Sequence, residues 1–254
     1  MKKYDVAIVG GGPAGVFAAY ELIEKNPALK IIVLESGNDI YKRVCPISTG
    51  KVTGCIGCKP CNIMRGFGGA GAFSDGKYNF TTQFGGWLNE YLPDAEVMEL
   101  INYVDTINMK HGAPAEVFST QGSNIGQLAL QHDLHLLSAS VRHLGTENNL
   151  NMLKATYEYL KDKIEFRFVC PVAHINSDGQ GANALELENG EKITADYLVI
   201  APGRAGAEWF SNECDNLGLK QENNRVDVGV RVEVPDEIWN HITSQVYEAK
   251  LVYR

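Results

Sequence analysis

The chain has no run of lysine and arginine. Its 23 basic residues stand against 31 acidic ones, for a formal charge of −8. That balance argues against a nucleic-acid surface and predicts no nucleic-acid partner. It has no apolar stretch approaching the length of a membrane span. Nor does it open on a signal peptide: Met1-Lys2-Lys3 is basic, but the apolar run behind it is short and flows into glycines. No internal repeat or low-complexity tract interrupts it. These absences predict a cytoplasmic protein, in which six cysteines are not expected to form structural disulfides. With 254 residues, 44% hydrophobic and 21% charged, the chain suits one large globular domain or two smaller ones.

The most informative stretch is VAIVGGGPAG, residues 6–15. An apolar strand, Tyr4 to Val9, stops at Gly10-Gly11-Gly12, and a helix-forming run, Ala14 to Glu24, starts straight after. Gly10, Gly12 and Gly15 fill the three glycine places of G-x-G-x-x-G. The first permits the tight turn, the second lets backbone approach a pyrophosphate, and the third lets helix pack on strand. A pyrophosphate there faces unpaired N–H groups at the positive end of a helix dipole. A second apolar strand, Lys30 to Glu35, ends in an acid twenty residues after Gly15. A carboxylate at that point accepts hydrogen bonds from ribose hydroxyls and repels a 2′-phosphate, which selects FAD or NAD over NADP. A glycine-rich turn in an ordinary βαβ unit does not account for the acid at that spacing.

Residues 36–90 hold little regular structure and many glycines and cysteines; a loop of that length in a compact domain is usually functional. Within it, Asp39 to Arg43 reads as an ordinary polar loop. Asp94 offers an N-cap to a helix in which Val97, Leu100, Ile101, Val104 and Ile107 repeat at helical spacing as packing residues, and Gly112 supplies the stop. Thr120 to Ser140 is compatible with helix or loop. Leu150, Leu153, Tyr157 and Leu160 mark an amphipathic helix. A strand follows at Glu165 to Cys170. Leu185 to Glu188 alternates, Asn189-Gly190 is a hairpin turn, and Lys192 to Thr194 returns. Asp196 to Ala201 reads as another buried strand, and the alternating Val226, Val228, Val230, Val232 and Val234 as one more, half-buried.

These residues resemble a known group. VAIVGGGPAG, Glu35-Ser36 and DYLVIAPGRAG near residue 200 are similar to FAD-dependent oxidoreductases of the glutathione-reductase-like class. Within it, Gly66 to Lys77 (GFGGAGAFSDGK) and Arg142 to Thr146 resemble a family of FAD-dependent dehydrogenases of mostly unknown substrate. The resemblance implies that Gly10, Gly12, Pro13, Ala14 and Gly15 hold the FAD pyrophosphate, and that Glu35 and Ser36 hold the adenosine ribose. It places Val172 at the adenine and Ala201 and Gly203 close to the dinucleotide. It runs Gly68, Gly69, Ala70, Gly71, Ser74 and Asp75 along the ribityl chain and flavin ring. Four near-consecutive small residues do let backbone approach a flat ring, where N–H groups stabilise a reduced flavin; a glycine-rich surface turn is the alternative. Gly66, Gly68 and Gly71 also spell G-x-G-x-x-G, but no apolar strand precedes them, so the match is read as chance. The class normally closes its FAD site with a C-terminal Gly-Asp segment, which is not found after residue 220. The expectation is an N-terminal portion of the parent fold, with its own FAD affinity and catalysis open.

Cys55, Cys58 and Cys61 form C-x-x-C-x-x-C, with Cys45 ten residues upstream. One reading is four thiolates around zinc or an iron–sulfur cluster, with Cys45 folding back as the fourth ligand. A second is a redox dithiol at Cys55 and Cys58, beside the flavin. A third is reduced thiols with no special role. Cys170 and Cys214 read as apolar packing. His143 is an acid–base candidate or a surface histidine. Arg65, Lys77 and Arg204 are cations near a cofactor or solvated loop charges. No catalytic residue is assigned.

The combined expectation is an α/β fold: a Rossmann-like FAD-binding domain over residues 1–90 and 141–218, with a central parallel sheet and a small antiparallel meander. A partial substrate-side α+β region takes 91–140 and 219–254. The expected activity is FAD-dependent oxidoreduction by flavin hydride or electron transfer on a small-molecule substrate or electron carrier, with NAD(P)H as a compatible electron donor. The alternatives are a thiol- or iron–sulfur-linked electron-transfer flavoprotein and a non-catalytic dinucleotide-binding module.

Overall fold

The apolar runs on either side of the glycine turn become adjacent strands. The computed structural model of the chain describes residues 2–177, 182–223 and 225–253. In chain order its elements begin with β1 (Lys2–Val9), α1 (Pro13–Lys25), β2 (Ile31–Leu34), β3 (Lys77–Phe80) and α2 (Asp94–Lys110). They continue with β4 (Phe118–Ser119), α3 (Ile125–Leu130), β5 (Leu134–Leu136), β6 (Ser140–His143) and α4 (Thr146–Leu160). The last are β7 (Glu165–Arg167), β8 (Val172–Ser177), β9 (Ala182–Leu187), β10 (Lys192–Ile200), α5 (Ala207–Asn216), α6 (Asp236–Thr243) and β11 (Leu251–Tyr253). Among the described residues no helix is long and apolar enough to cross a membrane.

The chain divides into two compact units, residues 1–74 with 149–223 and residues 75–148 with 224–254. The first is a mixed α/β unit around a six-stranded sheet in the order β7-β2-β1-β10-β9-β8. β7, β2, β1 and β10 run parallel, while β10, β9 and β8 form an antiparallel meander. All four residues of β2 are buried, as a strand between two parallel neighbours requires. Tyr4, Ala7, Ile32, Leu34, Leu185 and Ile193 anchor one hydrophobic core. On α4, Met152, Thr156 and Leu160 are buried, one residue round the helix from several of the apolar positions that marked it in the sequence.

The second unit holds two small antiparallel sheets, β3-β6-β4 and β11-β5. Thr120 to Ser140, compatible with helix or loop from sequence, contains both α3 and β5.

Four sequence expectations are corrected. Asp94 is the first helical residue of α2, and Pro93 occupies its cap; the fixed φ of proline suits a helix entrance as well as a capping side chain does. Lys192–Thr194 and Asp196–Ala201 are one nine-residue strand, β10, whose start also pairs with β9. Its Tyr197 is 72% exposed, so the apolar run is not a buried strand throughout. The strand expected at Glu165 to Cys170 ends at Arg167. Val169 has φ +50°, which turns the chain away from the sheet. Residues 225–235 form no strand, and Val226, Val228, Val230 and Val232 are 75–93% exposed. Alternation marks which face could be buried, but a strand exists only where a neighbour supplies the ladder, and no described strand pairs with this stretch.

Candidate functional site

The site grows from the ends of three neighbouring strands. Gly10 N–H donates to Leu34 O and Ala201 N–H to Val9 O, both at 2.8 Å, which ties the turn after β1 to the ends of β2 and β10. Gly10 has φ +103°, and a Cβ there would lie 2.1 Å from Ala201 O. At Gly15 a Cβ would lie 1.9 Å from Gly10 O, so α1 packs on the turn only without a side chain. Gly12 is different. Its φ of −77° is open to any residue, and a Cβ would meet only Gly69 Cα, at 3.8 Å. Nothing in the protein demands glycine at position 12; its lack of a side chain leaves space outside the chain, at the entrance of α1. Pro13 opens that helix and Val16 N–H makes the first bond back, to Gly12 O at 2.9 Å. The N–H groups of the first turn have no intrahelical partner, and the helix dipole adds partial positive charge.

Glu35, at the end of β2, is buried and turns toward this turn. Its Oε2 accepts from Gly11 N–H at 2.6 Å. Its Oε1 accepts from Gly37 N–H at 2.7 Å and from Gly66 N–H at 3.0 Å. One carboxylate thus joins the first glycine turn to the second glycine segment, and Oε2 keeps acceptor capacity. Gly68 N–H completes the junction by donating to Gly11 O at 2.7 Å.

Arg43 corrects a further expectation. Placed by sequence in an ordinary polar loop, it is 4% exposed and lies against the same glycine segment. Its guanidinium donates to Phe67 O at 2.6 Å, Gly69 O and Ile63 O at 2.8 Å, and Asn62 O at 2.9 Å. It also lies over the Phe73 ring, 5.0 Å from the centroid. Burial pulls its pKa down to about 10, against the attraction of Glu35 and Cys61, so it is cationic at neutral pH. With Gly66 O at 3.4 Å, five carbonyl oxygens aimed at one planar cation fix the backbone from Asn62 to Gly69.

Around this junction lies a cleft of about 570 Å³. Of the residues singled out by sequence, Gly10, Gly12, Pro13, Glu35, Ser36, Gly69, Ala70, Gly71, Val172, Ala201 and Gly203 line it. Ala14, Gly15, Gly68 and Ser74 do not. Gly68 instead packs beneath the segment, where a Cβ would meet Leu153 of α4 at 2.8 Å, and Ser74 Oγ donates to Gly71 O at 2.8 Å. Asp75 belongs to the second unit, near His143 Nε2 at 3.7 Å. His143 lies on β6 and stacks on Tyr247, with ring centroids 4.6 Å apart; it does not line the cleft.

Sequence reasoning left Cys170 to packing and Arg65 and Arg204 undecided, yet all three line the cleft, as do Pro171, Glu188 and Trp209. Arg65 Nη2 donates to Ala205 O at 3.1 Å. The Cys170 thiol is pushed above its ordinary pKa by burial. The available signal for Cys170 was its place at the end of the run Glu165 to Cys170, next to Val172; the side-chain types alone gave none.

Convergence of Cys45, Cys55, Cys58 and Cys61 on a metal, one of three readings of the motif, is not seen among the described residues. All four are free thiols. Among the described residues no group of three or more His, Cys, Asp or Glu side chains is placed to hold a metal ion. Gly50, Gly54 and Gly57, interleaved with these cysteines, have no atom within 4 Å of where a Cβ would lie.

No family model matches the chain. An uncharacterized protein of Clostridium beijerinckii is 31% identical over 243 residues, covering 94% of this chain and 38% of that protein. The chain thus spans well under half the length of this relative. The mitochondrial L-2-hydroxyglutarate dehydrogenase of Dictyostelium discoideum is 46% identical over 60 residues, 24% of this chain and 14% of that enzyme. Among solved structures, glycine oxidase from Geobacillus kaustophilus superimposes with a TM-score of 0.50 at 17% identity, over 87% of this chain and 60% of that one. The chain shares its fold.

Proposed function

We propose that this chain is the FAD-binding, Rossmann-like portion of an FAD-dependent oxidoreductase acting on a small molecule. The observation that carries the reading is Gly12, a glycine that neither its backbone nor its neighbours require, set at the unpaired N–H groups of α1 and facing a cleft large enough for a small-molecule cofactor. A fold shared with glycine oxidase, and a stretch shared with L-2-hydroxyglutarate dehydrogenase, support oxidoreduction in preference to simple nucleotide binding.

In this proposal the first-turn N–H groups of α1, with Pro13, Ala14 and Gly15, receive the pyrophosphate. Glu35 Oε2 accepts a hydrogen bond from a ribose hydroxyl through its remaining acceptor capacity, while the two carboxylate oxygens together keep the glycine segments joined. Val172 and Cys170 form the adenine end, Ala201 and Gly203 flank the dinucleotide, and Gly69, Ala70 and Gly71 give close backbone approach to the flavin. Arg43 does not line the cleft; it holds the carbonyls of the segment that does and so positions it. Bound flavin supplies hydride or single-electron chemistry, and the protein supplies placement and hydrogen bonds. The unit of residues 1–74 and 149–223 carries the cofactor, and the other unit belongs to the substrate side. The test is direct: FAD added to the purified chain co-elutes with it on gel filtration, and NADP does not. A chain that passes through without flavin overturns the proposal.

A further inference from the structure

The stretch from Arg225 to Pro235 belongs to the second unit and is used by neither the cofactor cleft nor any sheet. Among the described residues, no backbone N–H from Val226 to Val234 donates a hydrogen bond. No residue from 225 to 235 has a positive φ. Arg231 Nη2 meets Glu233 Oε1 at 2.8 Å, the same-side contact that residues two apart make on extended backbone. Val226, Val228, Val230 and Val232 are 75–93% exposed. An unpaired stretch of alternating valines is a template for pairing with another strand.

The order of its residues says which strand fits. RVDVGVRVE, residues 225–233, is its own antiparallel complement about Gly229. A second copy turned end for end about that glycine sets Arg225 opposite the partner's Glu233 and Asp227 opposite the partner's Arg231. It also sets Val226 opposite the partner's Val232 and Val228 opposite the partner's Val230. Opposite residues of an antiparallel pair share a face, so the valines gather on one side and matched charges on the other. Other alignments fail on charge. Parallel pairing in register sets each charge against its own likeness. Centring on Val228 sets Arg225 against the partner's Arg231, and centring on Val230 sets Asp227 against the partner's Glu233. Within its own chain Arg225 meets Glu90 at 2.9 Å, but the Arg225 and Arg231 side chains are 73% and 87% exposed. Ion pairs at such exposure hold weakly and exchange partners readily. At Gly229 no atom lies within 4 Å of where a Cβ would stand, so its own chain leaves the centre open.

We propose that two copies of this chain associate through an antiparallel ribbon of residues 225–233, with a twofold axis at Gly229. The interface is isologous, the same stretch supplying both sides. Backbone N–H and C=O groups form the ladder, the valines cover one another, and the charges fix direction and register. A ribbon of this length buries less than a standard interface, so the dissociation constant is on the order of 10–100 μM. The proposal does not depend on the flavin, and its test is run without FAD.

Sedimentation velocity of the purified chain from about 1 μM to about 500 μM should follow the passage from monomer to dimer. Asp227→Lys places a lysine against the partner's Arg231 twice, once on each side of the axis, and should weaken association about tenfold. Asp227→Lys combined with Arg231→Glu restores opposite signs across the axis and should recover the native behaviour. That rescue is the decisive arm, because association through the valines alone, or through another face, does not respond to exchanging these two charges. Both positions are exposed, so the circular dichroism of each variant should match that of the native chain. A native chain that stays monomeric throughout the range overturns the proposal and leaves the valines to a different occupant. So does a dimer that Asp227→Lys leaves intact, or one that the double substitution does not restore.

Discussion

Two arcs of one long loop, both glycine-rich, behave in opposite ways. In the arc that carries Gly66 and Gly68, these two glycines are held by their neighbours: a Cβ on Gly66 would lie 2.6 Å from Asn38 O, and one on Gly68 2.8 Å from Leu153. In the arc that carries Cys55, Cys58 and Cys61, Gly50, Gly54 and Gly57 meet nothing within 4 Å. The difference lies in two buried ions. Glu35 collects three backbone N–H groups and Arg43 collects carbonyl oxygens, and both act on the Gly66 arc. Glycine content alone therefore does not mark a built site; the pressure of surrounding atoms does.

The sharpest way to break this comparison is to place the same methyl group in each arc. Gly66→Ala, at φ +118° and against Arg43 and Asn38, should cost about 3–5 kcal/mol, read as a lowered urea midpoint. Gly54→Ala should stay within about 0.5 kcal/mol of the native chain, since its Cβ enters open space. Equal costs would remove the distinction. Arg43→Met comes next. It strips five carbonyls of their donor and should cost about 2–4 kcal/mol, with FAD affinity falling alongside stability. An unchanged melting curve would show that the guanidinium is not what holds the arc.

Smaller effects sharpen the edges. Val169 is 55% exposed and β-branched at φ +50°. Val169→Gly should raise stability by about 0.5–1 kcal/mol, the strain released less the added chain entropy. The smallest effect belongs to the cysteines. Cys55→Ser with Cys58→Ser should shift stability by less than about 0.5 kcal/mol and leave FAD binding intact. A loss of bound flavin in that double variant would return the thiols to the site.

Much of this was legible in the sequence, and for identifiable reasons. The turn at Gly10, the helix behind it and the acid at Glu35 follow from strict local rules of sterics and hydrogen bonding, and they stand where those rules put them. Gly112, in the left-handed region just past α2, is a helix stop for the same reason. Arg43 was not legible. Its partners are backbone carbonyls some twenty residues away, and a carbonyl carries no side-chain signature. The valines from 226 to 234 misled in the other direction, because periodicity describes one strand and a sheet requires two. Leu100, Ile101 and Val104 of α2 line a cavity of about 450 Å³, which helical spacing does not tell from packing, since an apolar side chain carries the same signal in either place.

The central claim, a cofactor resting on the bare entrance of α1, is tested most directly by titrating FAD into the native chain and into Gly12→Val. Position 12 can accept a side chain without touching protein closer than 3.8 Å at Cβ, so the variant should melt within about 2 °C of the native chain. Its isopropyl group would occupy the space assigned to pyrophosphate, and FAD affinity should fall about 100-fold or more. A Gly12→Val chain that folds and binds FAD as tightly as the native one would contradict the account.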